Sequence, residues 1–163
     1  MQDQKTLDRI QLLHPKLRAE GLAIYSEIHA ALTGRAVCRF AYTLRTFAEQ
    51  DALFAQGRTK PGAKVTNARG GQSYHNYGLA IDIVLLKDTN GDGIFETASW
   101  ETNVDFDGDG VSDWIEVVRI FKAHGWEWGG DWKFTDKPHF QKTLGYTIAK
   151  LQTMPRPNGY PVL

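Results

Sequence analysis

Residues Leu79 to Leu86, reading Leu-Ala-Ile-Asp-Ile-Val-Leu-Leu, form a nearly continuous apolar run interrupted by one acid, Asp82. Short apolar runs without polar alternation suit strands covered on both faces, so this segment predicts a central strand. An ionised carboxylate inside such a strand is costly to bury unless something positive compensates it, and a metal ion is the strongest available partner. His75 lies upstream of Asp82 across Gly78, where the chain can bend and bring imidazole and carboxylate together. The competing reading is a buried Asp satisfied by backbone N–H groups beside a surface His.

The remaining elements follow from periodicity and punctuation. Leu7, Ile10 and Leu13, then Leu17, Ile24, Ile28 and Leu32, recur at helical spacing, with Pro15 able to open the second of two N-terminal helices. Ala36 to Tyr42 is apolar and contains Val and aromatics, as strands do. Thr46-Phe-Ala-Glu49 has the form of a capping box and Gly57 that of a stop, predicting a helix from Thr46 to Gln56. Arg58 to Gln72 lacks periodicity and reads as a surface loop. Lys87 to Asp113 is an acidic, Gly-rich insertion, followed by helical spacing from Trp114 to His124 that Gly125 ends. Thr143 is a candidate cap for a last short helix, and the chain after Met154 reads as irregular. These elements predict one α+β domain over residues 1–163, a small and largely antiparallel sheet flanked by helices.

Lys plus Arg and Asp plus Glu number 19 each, so no overall field draws the chain to nucleic acid or to anionic membrane. No apolar run approaches the roughly 20 residues that span a bilayer, and the polar first residues do not read as a signal peptide. Cys38 is the single cysteine, which excludes an intrachain disulfide; its strand context reads as a small buried hydrophobe.

Downstream, Asp136-Lys-Pro-His139 supplies another carboxylate and imidazole. Zinc hydrolases typically use three nitrogen or oxygen side chains, a fourth position for water, and a separate carboxylate that moves the proton. His75, Asp82 and His139 suit the three ligand positions, and Asp136 suits the shuttle. Pro138 biases Lys137 toward an extended conformation, in which residues three apart point to opposite sides. Asp136 and His139 therefore share a site only if the chain turns locally. Taken alone, His139 reads as an ordinary half-buried histidine.

The stretch from Ser73 to Asp82 resembles, at every fixed position, the Ser-x-His-x-x-Gly-x-Ala-x-Asp signature of the D-alanyl-D-alanine metallopeptidases. These include vancomycin-resistance dipeptidases and carboxypeptidases. Further resemblance lies in Leu44-Arg45-Thr46 with Glu49-Gln50, and in Trp126-Glu-Trp128-Gly-Gly-Asp-Trp132 followed by Asp136-Lys-Pro-His139-Phe-Gln141. These segments look most like the L-alanyl-D-glutamate peptidases of bacteriophage endolysins, and together they span Arg45 to Gln141. The resemblance implies a fold like that of hedgehog and D-Ala-D-Ala peptidases, zinc on His75, Asp82 and His139, and Asp136 as catalytic acid/base. Asp rather than Glu at position 136 departs from the dipeptidases and agrees with the phage endopeptidases. Arg45 is implied to bind and polarise substrate oxygen, against a plain ion pair with Glu49 along the helix. Ser73 is implied to contact substrate, against a turn or cap role.

The expected function is zinc-dependent cleavage of the L-Ala to D-Glu bond in peptidoglycan stem peptides by a monomeric phage or prophage endolysin. The resemblance further implies accumulation in the host cytoplasm and release to the wall through a holin. The alternatives are a D,D- or L,D-carboxypeptidase that trims the stem, and a non-catalytic, metal-dependent wall-binding module on the same scaffold.

Inside the acidic insertion, Asp105, Asp107, Asp109, Asp113 and Glu116 fall at positions 1, 3, 5, 9 and 12 of an EF-hand loop, with Gly110 at 6 and the Val111 carbonyl at 7. No entering helix precedes it. The expectation is a calcium site; a solvated acidic loop is the alternative. Asp88 to Glu96 begins the same pattern but has Ser99 where the bidentate Glu belongs. Trp126, Trp128 and Trp132 suit either a groove wall or the core. Arg58, Lys60, Lys64 and Arg69 read as a solvated basic loop, and His14, His29 and His124 carry no spacing that suggests chemistry.

Overall fold

In the computed structural model, which describes residues 2–163, the chain runs through α1 (Gln4–Ile10), α2 (Arg18–Ala31), β1 (Ala36–Tyr42), α3 (Phe47–Ala55) and β2 (Ala80–Lys87). It continues through β3 (Thr97–Ser99), α4 (Asp113–Ala123), β4 (Glu127–Trp128), β5 (His139–Gln141) and α5 (Ile148–Thr153). This is the expected α+β class, with an all-antiparallel sheet.

β2 is the central strand that the apolar run predicts. β1 pairs with one edge, Phe40 facing Ile83. The other edge is divided: β5 pairs along Ala80 to Asp82 and β3 along Leu85 to Lys87. β4 then extends the sheet beyond β5. β3 lies within the stretch read as an acidic, Gly-rich insertion, and β4 is two residues long; neither is long enough to show a period.

Strand alternation explains both the continuous apolar run and its acid. Ile81, Ile83 and Leu85 point into the main core with Cys38 and Phe40 of β1, Phe140 of β5, Ile24 and Ile28 of α2, and Trp114, Val117 and Phe121 of α4. The opposite phase of β2 carries Val84 and Leu86, which form a small second cluster with Val37 under Ala41 and Phe95. Asp82 belongs to this second face. The strand reads as apolar throughout because the insertion, through Phe95, covers the face that the helices do not. Burial raises the Cys38 thiol far above its ordinary pKa, which leaves it an inert core group.

Helix boundaries follow local capping chemistry. Pro15 opens a short 3-10 turn through Leu17 that leads into α2. The Thr46 hydroxyl accepts from the Glu49 N–H at 3.1 Å and starts α3. Ser112 does the same for α4 through Ile115 N–H. The final helix is capped by Thr147, whose hydroxyl accepts from Lys150 N–H, and not by Thr143 as expected. The Thr143 hydroxyl instead accepts from Gly145 N–H in the preceding turn. No helix among the described residues is long and apolar enough to cross a membrane.

Gly78 joins the turn bearing His75 to β2. Its φ of 71° is left-handed, and its carbonyl accepts from His14 N–H at 3.0 Å. A Cβ there would lie 2.5 Å from the His14 nitrogen. Gly78→Ala should therefore lower unfolding free energy by more than the roughly 1–2 kcal/mol of left-handed backbone strain alone. Urea denaturation checks this, and a variant as stable as the parent contradicts it.

Candidate metal centre

His75, Asp82 and His139 come together by two different routes. Sheet register sets Asp82 of β2 directly opposite His139 of β5. His75 arrives on a 3-10 turn, Tyr74–Tyr77, which a reciprocal pair of side chains holds in place. The Ser73 hydroxyl accepts from His75 N–H at 3.2 Å, and Asn76 Oδ1 accepts from Ser73 N–H at 3.1 Å. Asn76 also donates to the Arg45 carbonyl, while Arg45 N–H donates to the His75 carbonyl, so the turn is tied to the start of α3.

Asp82 Oδ1 sits 3.2 Å from His75 Nε2 and 3.1 Å from His139 Nδ1. One donor atom from each of the three residues lies within 4.8 Å of the others. His75 Nδ1 is 2.8 Å from the Thr43 carbonyl, which can only accept, so the ring proton is on Nδ1. That leaves His75 Nε2 buried, without a hydrogen bond, and turned toward a carboxylate. A lone pair facing a carboxylate is repulsive, and a buried polar atom without a partner is uncommon. The donor set of two imidazoles and one carboxylate fits a cation, and nitrogen with oxygen suits zinc.

Burial raises the Asp82 carboxyl, but the hydrogen bond and charge of the adjacent His139 outweigh it and hold the group well below the usual carboxylate range. Burial lowers His139, yet Asp82 reverses this and raises the imidazole above its ordinary value. The reversal in both groups marks a site built for opposite charges.

The turn required at Asp136 is present. His139 N–H donates to the Asp136 carbonyl at 3.1 Å, and Asp136 N–H donates to the Gly129 carbonyl at 2.9 Å. Gly129 is packed so closely on the Asp136 carbonyl that a Cβ has no room there. The Asp136 carboxylate reaches 4.0 Å from His139 Nδ1 while remaining half exposed. Burial and the nearby Asp82 charge raise its pKa, with His139 opposing.

Arg45 does not pair with Glu49. Its Nη1 donates to Gln50 Oε1 at 3.0 Å, its Nη2 stands 4.0 Å from Asp82 Oδ2, and its guanidinium lies over Tyr42. Gln50 is fully buried and donates to the Ala68 carbonyl. The arginine fork is thereby aimed at the same groove as the metal ligands, a space of about 730 Å³ that Ser73 and Asp136 also line. The Ser73 hydroxyl acts as a cap and borders the groove at once. Trp132 lies 5.3 Å from the His139 ring, whereas Trp126 is a core residue packed edge-to-face with Phe121. Arg58 and Arg69 lie over the Phe54 ring, and His14 is held between Lys16 N–H and the Pro161 carbonyl.

Several residues of this site carried no role in the sequence reading. Thr43 orients His75 through its backbone, which leaves no side-chain signal. Gln50 was visible only as a neighbour of Glu49. Gln141, two residues from His139 on the same strand face, accepts from His139 Nε2 at 2.9 Å and donates to Glu127 at 3.0 Å.

In the acidic insertion, backbone turns form around aspartate carboxylates. Asp105 accepts from Gly108 and Gly110 N–H groups, and Asp109 from Val111 N–H. Its carboxylates gather into two overlapping groups, Asp105, Asp107 and Asp113, and Asp107, Asp109 and Glu116. Asp113 Oδ2 and Glu116 Oε2 are buried without partners. Asp88 organises the earlier loop in the same way, accepting from Gly91 and Gly93. Among the described residues, that loop gathers no comparable group of donors.

Comparison with known proteins adds to this geometry. Residues 66–142 match the family described as D-alanyl-D-alanine carboxypeptidase. The chain is 56% identical over 98 residues to the peptidoglycan L-alanyl-D-glutamate endopeptidase CwlK of Bacillus subtilis (strain 168), over 60% of this chain and 55% of the relative. The chain thus spans about half the length of that relative.

Burial, reinforced by facing carboxylates, pushes Asp113 up to about 6 and Glu116 up to about 7. In the unfolded chain both titrate in the ordinary carboxylate range. Below these raised values the folded state holds protons that the unfolded state has released, so the contribution to stability falls as pH rises toward about 7. In chelator, Glu116→Gln should therefore gain stability relative to the parent as pH is raised through this window. Paired urea titrations check it; a difference independent of pH contradicts it.

Proposed function

We propose that this chain, which matches the D-alanyl-D-alanine carboxypeptidase family over residues 66–142 and is 56% identical over 98 residues to an L-alanyl-D-glutamate endopeptidase, is a zinc-dependent peptidoglycan endopeptidase. Its target in this reading is the L-Ala to D-Glu bond of stem peptides. The observation that carries it is the buried, unpartnered His75 Nε2 converging with Asp82 and His139, with Asp136 beside them on an open groove.

His75, Asp82 and His139 would hold the ion. Zinc in such a site supplies a Lewis acid for the scissile carbonyl and lowers the pKa of water. Asp136, half exposed and raised in pKa, takes the proton from the attacking water and returns it to the leaving amine. Arg45, held by Gln50, directs a permanent positive charge to substrate oxygen as negative charge develops. Ser73 contributes its hydroxyl at the groove wall while holding the turn of His75.

The same proposal includes a single catalytic domain over residues 1–163, action as a monomer, and a phage or prophage endolysin reaching the wall from the host cytoplasm through a holin. This part rests on the likeness of the motifs to phage endopeptidases. Calcium in the Asp105 to Glu116 loop also belongs to it, supported by the converging carboxylates and the unpartnered oxygens of Asp113 and Glu116.

Asp136→Ala should retain about one zinc per chain and lose about 10²–10⁴ in turnover. His75→Ala should lose the zinc itself. Retained activity in the first, or a metallated and active second, removes the assigned role. Mass spectrometry of digested peptidoglycan, with and without chelator, reads the bond. New D-Glu amino termini support the endopeptidase; loss of terminal D-Ala assigns a carboxypeptidase, and no product leaves a binding module. Calorimetry at millimolar calcium should show binding and a raised melting temperature, both abolished in Glu116→Gln. Neither effect in the parent removes the calcium site.

A further inference from the structure

We infer that Glu127 and Gln141 are positioning residues that fix which nitrogen of His139 is free to bind metal. This rests on the metal-site reading above.

The two histidines of the site are oriented differently. His75 is set by a backbone carbonyl, which accepts unconditionally and offers Nε2 to the site. His139 faces the site with Nδ1, so its proton must sit on Nε2, and the partner there is the side-chain amide of Gln141. An amide can present either its oxygen or its NH₂ group, so Gln141 by itself does not decide the tautomer. Glu127 decides it. The two residues are direct register partners across β4 and β5, and a carboxylate only accepts. Gln141 Nε2 therefore turns to Glu127 at 3.0 Å, its oxygen is left facing His139 at 2.9 Å, and the imidazole proton is placed away from the metal position.

The side chains of Glu127, Gln141 and His139 thus form one hydrogen-bonded line across β4 and β5, with the free His139 Nδ1 turned to Asp82 of β2. Gln141 is buried, while the Glu127 side chain is exposed and makes no other hydrogen bond or ion pair among the described residues. Partners behind metal-bound histidines typically contribute 10–100-fold in metal affinity. Here the contribution depends on a sign: a donor at position 127 would flip the amide and turn its NH₂ group against His139 Nε2–H.

Zinc dissociation constants, measured by competition with a chromogenic chelator, test this in the full chain. Gln141→Met and Glu127→Lys should each weaken zinc binding by about 10–100-fold. Glu127→Gln can still present an oxygen to Gln141 but no longer only an oxygen, so its loss should be smaller than that of Glu127→Lys. Because Glu127 acts through Gln141, Glu127→Lys added to Gln141→Met should change affinity little further, which a double-mutant cycle reads as strong coupling. Melting temperatures of the zinc-free variants check the fold, and Glu127 is at the surface, so its variants remain informative if Gln141→Met does not fold. Parent-like affinity in Glu127→Lys, or a loss in Glu127→Gln equal to that in Glu127→Lys, overturns the inference and leaves the metal site intact. A parent chain that binds no zinc overturns both.

Discussion

The interaction on which the rest depends is the contact of one carboxylate with two imidazoles on the less covered face of the sheet. Asp82 occupies a position in β2 that any aliphatic residue would fill at lower cost, and both neighbouring strands give it charged or polar company. The register that pairs Asp82 with His139 also places Phe140 in the main core and Gln141 against Glu127. A shift of one residue in β5 would exchange these faces, sending His139 among the helices and Phe140 into the groove. The stacking of Phe140 on Phe121 therefore protects the chemistry of the opposite face.

Helix α4 connects the two charged regions of the molecule. Its first turn contains Asp113 and Glu116 from the acidic loop, its buried face packs under the sheet, and its C-terminal end leads into β4. Lys142 strengthens that end by donating to the His124 carbonyl and pairing with Glu20 of α2. Thr33 donates to Asp107 from the turn after α2, so the acidic loop is also anchored to the N-terminal half. The insertion is thus tied into the fold at both ends of its acidic segment.

Much of this was legible before any coordinate. The acid inside an apolar run required compensation, and His75, Asp82 and His139 do converge. The bounds of β1 and the capping threonine of α3 follow directly from residue type. What escaped depended on register or on length. β3 and β4 contain too few residues for any period to appear, and the roles of Gln141 and Glu127 exist only once two strands are aligned. Arg45 was readable as a helix-surface partner of Glu49, because spacing along a helix cannot reveal that a buried Gln50 competes for the guanidinium. Thr143 and Thr147 are both plausible caps by type; the turn through Gly145, where Leu144 and Gly145 take positive φ, moves the helix start to the second.

The distance along the chain between the candidate ligands has a mechanical meaning. Asp82 and His139 are 57 positions apart, and between them lie β3, the acidic loop, α4 and β4. An ion gripping both residues would act as a clip closing that whole segment into a ring. By the chain-entropy rule for cross-links, a ring of this size withdraws about 4 kcal/mol of freedom from the unfolded chain. The two-residue β4 and three-residue β5 are too short to hold the far edge of the sheet by backbone pairing alone. Filling the centre would thus hold the two shortest strands of that edge to the long central one.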